Sequence, residues 1–171
     1  VSKDKNVLTR NLNMYVITEN SSKELEKCST ALKENLKTWV NNYRMISDSI
    51  DIFDAQIINL GLELEISLKN NADPATAQVN IRNKLFNDLS IRVPEIGQNF
   101  SIGQVEESLN AIESILRVSK VKIVLKEGEN KYSDTRIDIK SNMSLDSEAL
   151  IIPSNMIWEV KFKEDIKINV Y

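Results

Sequence analysis

The stretch that decides the fold is residues 57–69, with the sequence IINLGLELEISLK. Every even position from 58 to 68 is apolar, and the odd positions from 59 to 69 carry polar residues or glycine. This period of two predicts a β-strand with one buried face and one solvated face. A doubly wound parallel sheet is covered on both faces, so the solvated face excludes that fold. The pattern instead favours a two-layer α+β sandwich, with helices on one face of a mixed or antiparallel sheet.

Upstream of this strand, the spacing predicts a second strand over residues 12–18 and a helix over residues 22–42. The strand segment, LNMYVIT, is rich in β-prone side chains. Ser21 and Glu24 have the spacing of a capping box at a helix start. Apolar residues then recur every three or four positions, which predicts a helical stripe facing the core. These residues are Leu25, Cys28, Leu32, Leu36 and Trp39.

Downstream, a helix is predicted over residues 73–91. Asp73 is a suitable N-cap, and Pro74 suits the first turn, where its missing N–H is not needed. Val93, Pro94 and Gly97 then interrupt the pattern.

A further helix is predicted from Ser101 to about Arg117, because Ser101 and Gln104 form another capping box. A strand follows immediately, since Val121, Ile123 and Leu125 alternate with their neighbours.

The C-terminal segment predicts strands and no helix. Residues 156–163 and 166–171 alternate in hydropathy, and Glu164-Asp165 separates them at about hairpin distance. We therefore predict a linker over residues 1–10, an α/β sandwich domain over residues 11–127 and a β-rich C-terminal arm over residues 128–171.

The C-terminal arm carries many large apolar residues for its size. Two interpretations are open: the arm folds onto the α/β body as core, or it pairs with another copy or another protein by strand addition. The candidate residues of this partner interface are Trp158, Phe162, Ile166, Ile168 and Val170.

Composition removes several classes of function. The 171 residues carry a net charge of −3, which argues against a general nucleic-acid binder. There is no histidine, so a Ser-His-Asp triad, a Cys-His pair or a histidine-containing metal site is excluded. Cys28 is the single cysteine, and no apolar run approaches the roughly 18 residues of a membrane span. No signal peptide is recognisable in the first ten residues. Because the chain starts at Val1 rather than at an initiator methionine, we expect an excised fragment or a processed product.

Residue patterns for chemistry are sparse. Glu63 and Glu65 share one strand face, and Asp51 and Asp54 belong to an acidic segment without the glycine of a calcium loop. The four glycines form no phosphate-binding loop. We therefore expect no catalytic residues, no metal and no cofactor. Lys120, Lys122 and Lys126 line one side of a strand, and we interpret them as promoting solubility or protecting a sheet edge.

Three runs of the sequence resemble the C-terminal region of the phage baseplate J-like family, and especially its T-even-type wedge proteins of contractile tails. They are NLNMYVIT (residues 11–18), ALKENLKTWVNNYRMISDSIDIFDAQIINLGLELEI (residues 31–66) and IRVPEIGQNFSIGQVEESLNAIESILRVSKVKIV (residues 91–124). In that family an Ile-Gly pair precedes a capped helix, which leads through a V-x-x-V segment into a strand, as at Val118 to Val121. The resemblance covers about residues 10–127.

The resemblance implies a structural virion protein rather than an enzyme. Its expected partners are other copies of itself, in a dimer or ring, and other baseplate wedge proteins. Nucleic acid, membrane and small-molecule substrates are not expected. The implied location is the tail baseplate, after assembly in the host cytoplasm.

Two alternatives remain. The first is a small-molecule-binding regulatory module with a ferredoxin-like sandwich, which requires a concave, partly apolar pocket. The second is an enzyme that uses Glu63 with Glu65, or Asp51 with Asp54, which requires a carboxyl group with a raised pKa in a cleft.

Overall fold

A computed structural model describes residues 10–21, 24–45, 48–91, 93–128 and 132–171. The chain divides into two compact units, unit 1 (Val1–Ala55) and unit 2 (Gln56–Tyr171). The predicted α+β class is confirmed, because helices pack against a mixed β-sheet.

Unit 1 is built around a two-stranded parallel sheet. Its elements are β1 (Arg10–Val16), β2 (Thr18–Glu19), β3 (Leu25–Glu26), α1 (Thr30–Asn41) and β4 (Asp48–Asp54). β1 and β4 pair along their whole lengths, and β2 and β3 form a short antiparallel hairpin. α1 lies in the crossover connection that parallel pairing of β1 and β4 requires. A strand is thus confirmed where residues 12–18 predict one, but β1 starts and ends two residues earlier, and Thr18 belongs to β2.

The predicted start of the first helix was wrong. Glu24 does not cap a helix; its backbone N–H donates to Asn20 Oδ1, and Asn20 Nδ2 donates to Glu24 Oε2, both at 3.0 Å. This exchange closes the turn between β2 and β3. The helix begins later, where Ser29 Oγ accepts a hydrogen bond from the N–H of Leu32 at 3.3 Å. The predicted first residue, Ser22, lies outside the described residues.

Unit 2 contains the main sheet. Its elements are β5 (Gln56–Leu68), α2 (Pro74–Ile91), β6 (Phe100–Ser101), α3 (Ile102–Asn110), β7 (Ile115–Leu125), α4 (Ile139–Asn142), β8 (Ala149–Leu150), β9 (Met156–Glu159), a 3₁₀ turn (Lys163–Asp165) and β10 (Ile166–Val170). β5 is central: β7 pairs with it antiparallel, while β9 and β10 pair with it in parallel.

Helices α2 and α3 start as their capping residues predict. Asp73 Oδ2 accepts a 2.8 Å hydrogen bond from the N–H of Thr76, and Ser101 Oγ accepts one from Gln104 at 3.4 Å. The predicted end of α3 near Arg117 was wrong. α3 ends at Asn110, and Ile115 already pairs with Leu68 on β5. The antiparallel pairing of β7 with β5 therefore begins before the alternating residues from which the strand was predicted.

The strands of the C-terminal segment pair within the chain. β8 pairs with β6, and the parallel pairing of β9 and β10 with β5 rules out the predicted hairpin around Glu164-Asp165, which form part of the 3₁₀ turn. The short helix α4 was not predicted. Because of these pairings, residues 128–171 belong to the same compact unit as β5.

The core of unit 2 lies on the even-numbered face of β5, as predicted. Its side chains from Ile58 to Ile66 pack against α2 through Ile81 and Leu85, and against α3. The odd-numbered face differs from the prediction. Glu63 and Glu65 are half-buried, but Asn59 and Gly61 are fully buried, because other chain segments cover this end of the strand.

Candidate functional site

A cluster of polar residues, here called the polar cluster, covers the first half of β5, and Asp165 lies at its centre. Its other members are Asn59, Lys126, Tyr132, Ser133 and Glu159. This carboxylate is only 3% exposed. Its Oδ1 accepts a 2.7 Å hydrogen bond from Tyr132 Oη and lies 3.4 Å from Lys126 Nζ. Its Oδ2 accepts a 3.1 Å hydrogen bond from the N–H of Phe162. A buried carboxylate is stable only with this kind of pairing.

The environment of Tyr132 keeps its hydroxyl protonated. Burial, followed by the hydrogen bond and the negative charge of Asp165, raises the pKa of Tyr132 to about 12. The phenol is therefore a hydrogen-bond donor throughout the neutral range. Its ring also packs edge-to-face on Phe162, with 5.7 Å between centroids.

Asn59 extends the cluster toward β9. Its Oδ1 accepts a 2.7 Å hydrogen bond from the N–H of Ser133, and its Nδ2 donates to Glu159 Oε1 at 2.6 Å. The hydroxyl of Ser133 donates to the carbonyl oxygen of Ile57. The segment after β7 is thus fixed to both the side chain and the backbone of β5.

Gly61 provides the space in which these segments meet. A Cβ atom at this position would lie 2.3 Å from Lys126 Cε and 2.9 Å from the carbonyl oxygen of Asp165. A lysine side chain can move, but the backbone of Asp165 cannot move without disturbing β10. The glycine is required here for close approach rather than for an unusual backbone angle.

The polar cluster is internally satisfied. Among the described residues, no buried side-chain nitrogen or oxygen lacks a hydrogen-bond partner. The contacts join the end of β7, the segment at 132–133 and the start of β10 to β5. Sequence reasoning missed this cluster because its members are separated by tens of residues. The sequence did contain one signal: the odd-numbered face begins with Asn59 and Gly61, whereas Glu and Ser occupy its next three positions.

The carboxylates considered for catalysis are engaged in ion pairs. Glu63 Oε2 accepts a 2.8 Å hydrogen bond from Lys122 Nζ, and Glu65 Oε1 lies 3.7 Å from Lys120 Nζ. The hydrogen bond and the charge of Lys122 lower the pKa of Glu63, which is the direction opposite to that of a general acid. The structure does bring these two glutamates onto one face, where the lysines opposite them on β7 pair with them.

The acidic pair of unit 1 does not converge. Asp54 Oδ2 lies 2.7 Å from Lys33 Nζ, and its Oδ1 accepts a 3.1 Å hydrogen bond from the N–H of Cys28. Asp51 is three residues earlier on β4, so its side chain lies on the opposite face of the strand. Through these contacts, Asp54 links the end of β4 to the start of α1.

The five candidate interface residues of the C-terminal arm have two kinds of environment. Trp158, Ile166 and Ile168 are buried in the core of unit 2, whereas Phe162 and Val170 are partly exposed. Trp158 packs edge-to-face on Phe100 at 4.9 Å between centroids, and its Nε1 donates to the carbonyl oxygen of Gln98 at 3.0 Å. Of the two interpretations, the structure shows the arm packed within its own chain.

A row of exposed apolar side chains lies elsewhere, on α1. Leu32, Leu36, Trp39 and Tyr43, here called the α1 stripe, run along the helix and its following turn. Leu32 is 48%, Trp39 58% and Tyr43 73% exposed, while Leu36 is half-buried. The prediction that the whole stripe faces the core was therefore wrong. Only Cys28 of the predicted set is buried, and Val40, which was not in that set, is the buried residue of α1.

The described residues of unit 2 line grooves at its surface. One of about 730 Å³ lies between the apolar side of β7 and the segment around α4, where Ile137, Ile139 and Met143 approach Val121 and Leu125. Another, of about 540 Å³, lies between α2 and α3, with the ion pair of Lys84 and Asp88 on its rim and the Phe100–Trp158 ring pair in its lining.

Comparison with known proteins gives no assignment. No protein-family model matches the sequence, and no curated protein shows a significant match to it. In the described part of the chain, no group of three or more acidic or cysteine side chains is arranged to hold a metal ion. None of the described helices is both long and apolar enough to cross a membrane.

Proposed function

We propose that this chain is a structural protein that self-associates and builds the baseplate ring of a phage contractile tail, in contact with other baseplate wedge proteins. The observation that supports this proposal is the incomplete core of unit 1. No described side chain of β1 or β4 is buried. Among the described residues, these two strands pair with each other and with no third strand.

Such a sheet is incomplete as a single layer. Parallel sheets occur almost always with both faces covered, and a two-stranded sheet is marginal by itself. α1 can cover only one face, and Leu12 and Phe53 remain exposed on the strands. A neighbouring molecule that covers this surface removes apolar area from water, at roughly 25 cal/mol per Å² buried. Unit 1 therefore has the character of an assembly surface.

The resemblance supplies the kind of assembly. The three similar runs lie in β1, in the segment from α1 through β5, and in the segment from α2 through β7. They therefore cover the exposed surface of unit 1 as well as the core of unit 2. A role in the virion, without catalytic chemistry, is consistent with a polar cluster whose members are satisfied by one another.

Sedimentation velocity tests self-association directly. We expect the 171-residue chain to form a dimer or larger species in the micromolar range. A single monomeric species at the highest soluble concentration contradicts the proposal. Antibodies against the chain, applied to intact phage that encodes it, should label the baseplate end of the tail in electron micrographs; labelling confined to the head contradicts the baseplate assignment.

The apolar groove beside β7 favours a second candidate, a small-molecule-binding module. Its volume of about 730 Å³ falls in the range of ligand sites, and Ile137, Ile139 and Met143 give it an apolar wall. The order of elements in unit 2 differs from the βαββαβ order of a ferredoxin-like sandwich. A thermal-shift screen with apolar metabolites tests this candidate, with a Met143→Lys variant as the control that blocks the groove.

A further inference from the structure

We infer that the α1 stripe pairs with the α1 stripe of a second copy, in an antiparallel arrangement about a two-fold axis. This inference rests on the proposed self-association and names the surface that performs it. It is carried by the spacing, the exposure and the size order of four side chains.

The spacing is that of a helix-pairing seam. Leu32, Leu36, Trp39 and Tyr43 are separated by four, three and four residues, which is the spacing of the a and d positions in coiled coils. Trp39 and Tyr43 already contact each other, with 4.8 Å between ring centroids. Tryptophan and tyrosine are enriched among the residues that dominate binding energy at interfaces. Exposure of both on one stripe therefore indicates a partner.

The order of sizes favours antiparallel self-pairing. We place the two-fold axis between Leu36 and Trp39. In this antiparallel pair, Leu32 faces Tyr43 of the second copy and Leu36 faces its Trp39. Each layer then combines one leucine with one aromatic ring, which fills the seam evenly. A parallel pair would place ring on ring and leucine on leucine, and its layers would differ strongly in volume.

The flanking charges also permit a second copy. In the same antiparallel arrangement, Lys33 faces Asn42, Glu34 faces Asn41 and Lys37 faces Thr38 of the second copy. Every charged flank thus meets a neutral polar side chain, and no like charges oppose each other. Lys33 is in addition paired with Asp54 at 2.7 Å within its own chain.

The expected affinity of the α1–α1 dimer is modest. α1 has 12 residues and is therefore about 18 Å long, so it buries less surface than the roughly 800 Å² per partner of a standard interface. We expect a dissociation constant on the order of micromolar for the isolated chain, with Trp39 contributing most.

Two variants test the inference, each made in the full chain. Leu36→Glu and Trp39→Lys place charges at positions that face each other only in the antiparallel pair. Each variant alone should self-associate at least tenfold more weakly than the wild type in sedimentation velocity. An equimolar mixture of the two should recover a dimer, because each glutamate meets a lysine. Leu145→Lys, at a fully exposed position in unit 2, is the control and should associate like the wild type.

The outcomes separate this inference from the proposed function. A monomeric wild type contradicts both. Association that both variants retain leaves the proposed function standing and overturns the α1 inference, since the stripe is then open to a different partner. Loss in each variant without recovery in the mixture overturns the antiparallel pairing. Because Leu36 is half-buried, Tyr43→Lys provides a second variant at a position that is 73% exposed, and circular dichroism checks that each chain is folded.

Discussion

Tyr132 Oη donates a 2.7 Å hydrogen bond to Oδ1 of Asp165, and both side chains belong to segments that cover the polar face of β5. Lys126 lies 3.4 Å from the same carboxylate oxygen. The three residues therefore tie the end of β7 and the following segment to the start of β10. Together with the burial of Ile166 and Ile168 in the core, these polar contacts hold β10 beside β5.

Tyr132→Phe should destabilise unit 2 by about 1–3 kcal/mol, because it removes a donor from a buried carboxylate and leaves the ring packing intact. The measurement is urea unfolding followed by circular dichroism, at a concentration where the chain is monomeric. Tyr43→Phe is the matched control, since Tyr43 is 73% exposed. Equal effects of the two substitutions would contradict a structural role for the Tyr132 hydroxyl.

The same hydrogen bond predicts a loss of stability in alkaline solution. The pKa of Tyr132 is raised from 10.0 to about 12, so the unfolded chain releases this proton at lower pH than the folded chain. Its contribution is therefore complete below pH 10.0 and is lost as the pH rises toward about 12. The stability difference between wild type and Tyr132→Phe should shrink across this window.

Tyrosinate absorbance provides an independent check of that titration. The chain has four tyrosines, and the late-titrating component should be missing from Tyr132→Phe. A stability difference that stays constant through the alkaline window would show that the hydroxyl is not the donor to Asp165.

Gly61→Ala should also destabilise the chain, by about 1–3 kcal/mol, because the new methyl group collides with Lys126 and with the backbone of Asp165. Gly103→Ala is the matched control. Gly103 lies in α3, where a Cβ would meet only Ser101 Oγ at 3.6 Å, so alanine should stabilise by up to about 1 kcal/mol. Thermal unfolding of both variants measures the contrast, and destabilisation of similar size in both would refute the steric explanation.

Local patterns predicted the parts of the fold that depend on local physics. The alternation along β5 fixed its buried face, and Asp73 and Ser101 marked the starts of α2 and α3. Ser21 and Glu24 failed as a cap because Asn20 binds Glu24 in a hairpin turn, which a spacing rule does not detect.

Pairings between distant segments could not be predicted. The alternation of residues 156–163 indicated a strand but not its partner, and the partner is β5, about 100 residues earlier. The polar cluster depends on the same pairings, since Asp165 reaches Tyr132 and Lys126 only when β10 lies beside β5. The sequence likewise did not determine whether the α1 stripe faces the core or the solvent, because a period of 3.6 identifies the apolar side of a helix but not what covers it.

Lys126→Met should lower the free energy of unfolding by clearly more than Lys122→Met. Lys126 pairs with an almost fully buried carboxylate, so its removal leaves Asp165 with fewer partners and should cost about 2–4 kcal/mol. Lys122 pairs with Glu63 at the surface, where an ion pair contributes about 0.2–1 kcal/mol. Urea unfolding at low and high salt measures both. The Lys122 effect should weaken with salt, and similar costs for the two lysines would contradict the burial that separates them.

Trp158→Ala decides whether the C-terminal arm is core or interface. Trp158 is 6% exposed and packs on Phe100, so its truncation should cost about 3–5 kcal/mol in the monomer. Trp39→Ala, at a site that is 58% exposed, should change monomer stability by about 1 kcal/mol or less but weaken self-association. Unfolding at dilute concentration and sedimentation at high concentration separate the two effects. If Trp158→Ala instead leaves the monomer stable and abolishes association, the C-terminal strands act between chains, and the tryptophan belongs to a partner interface.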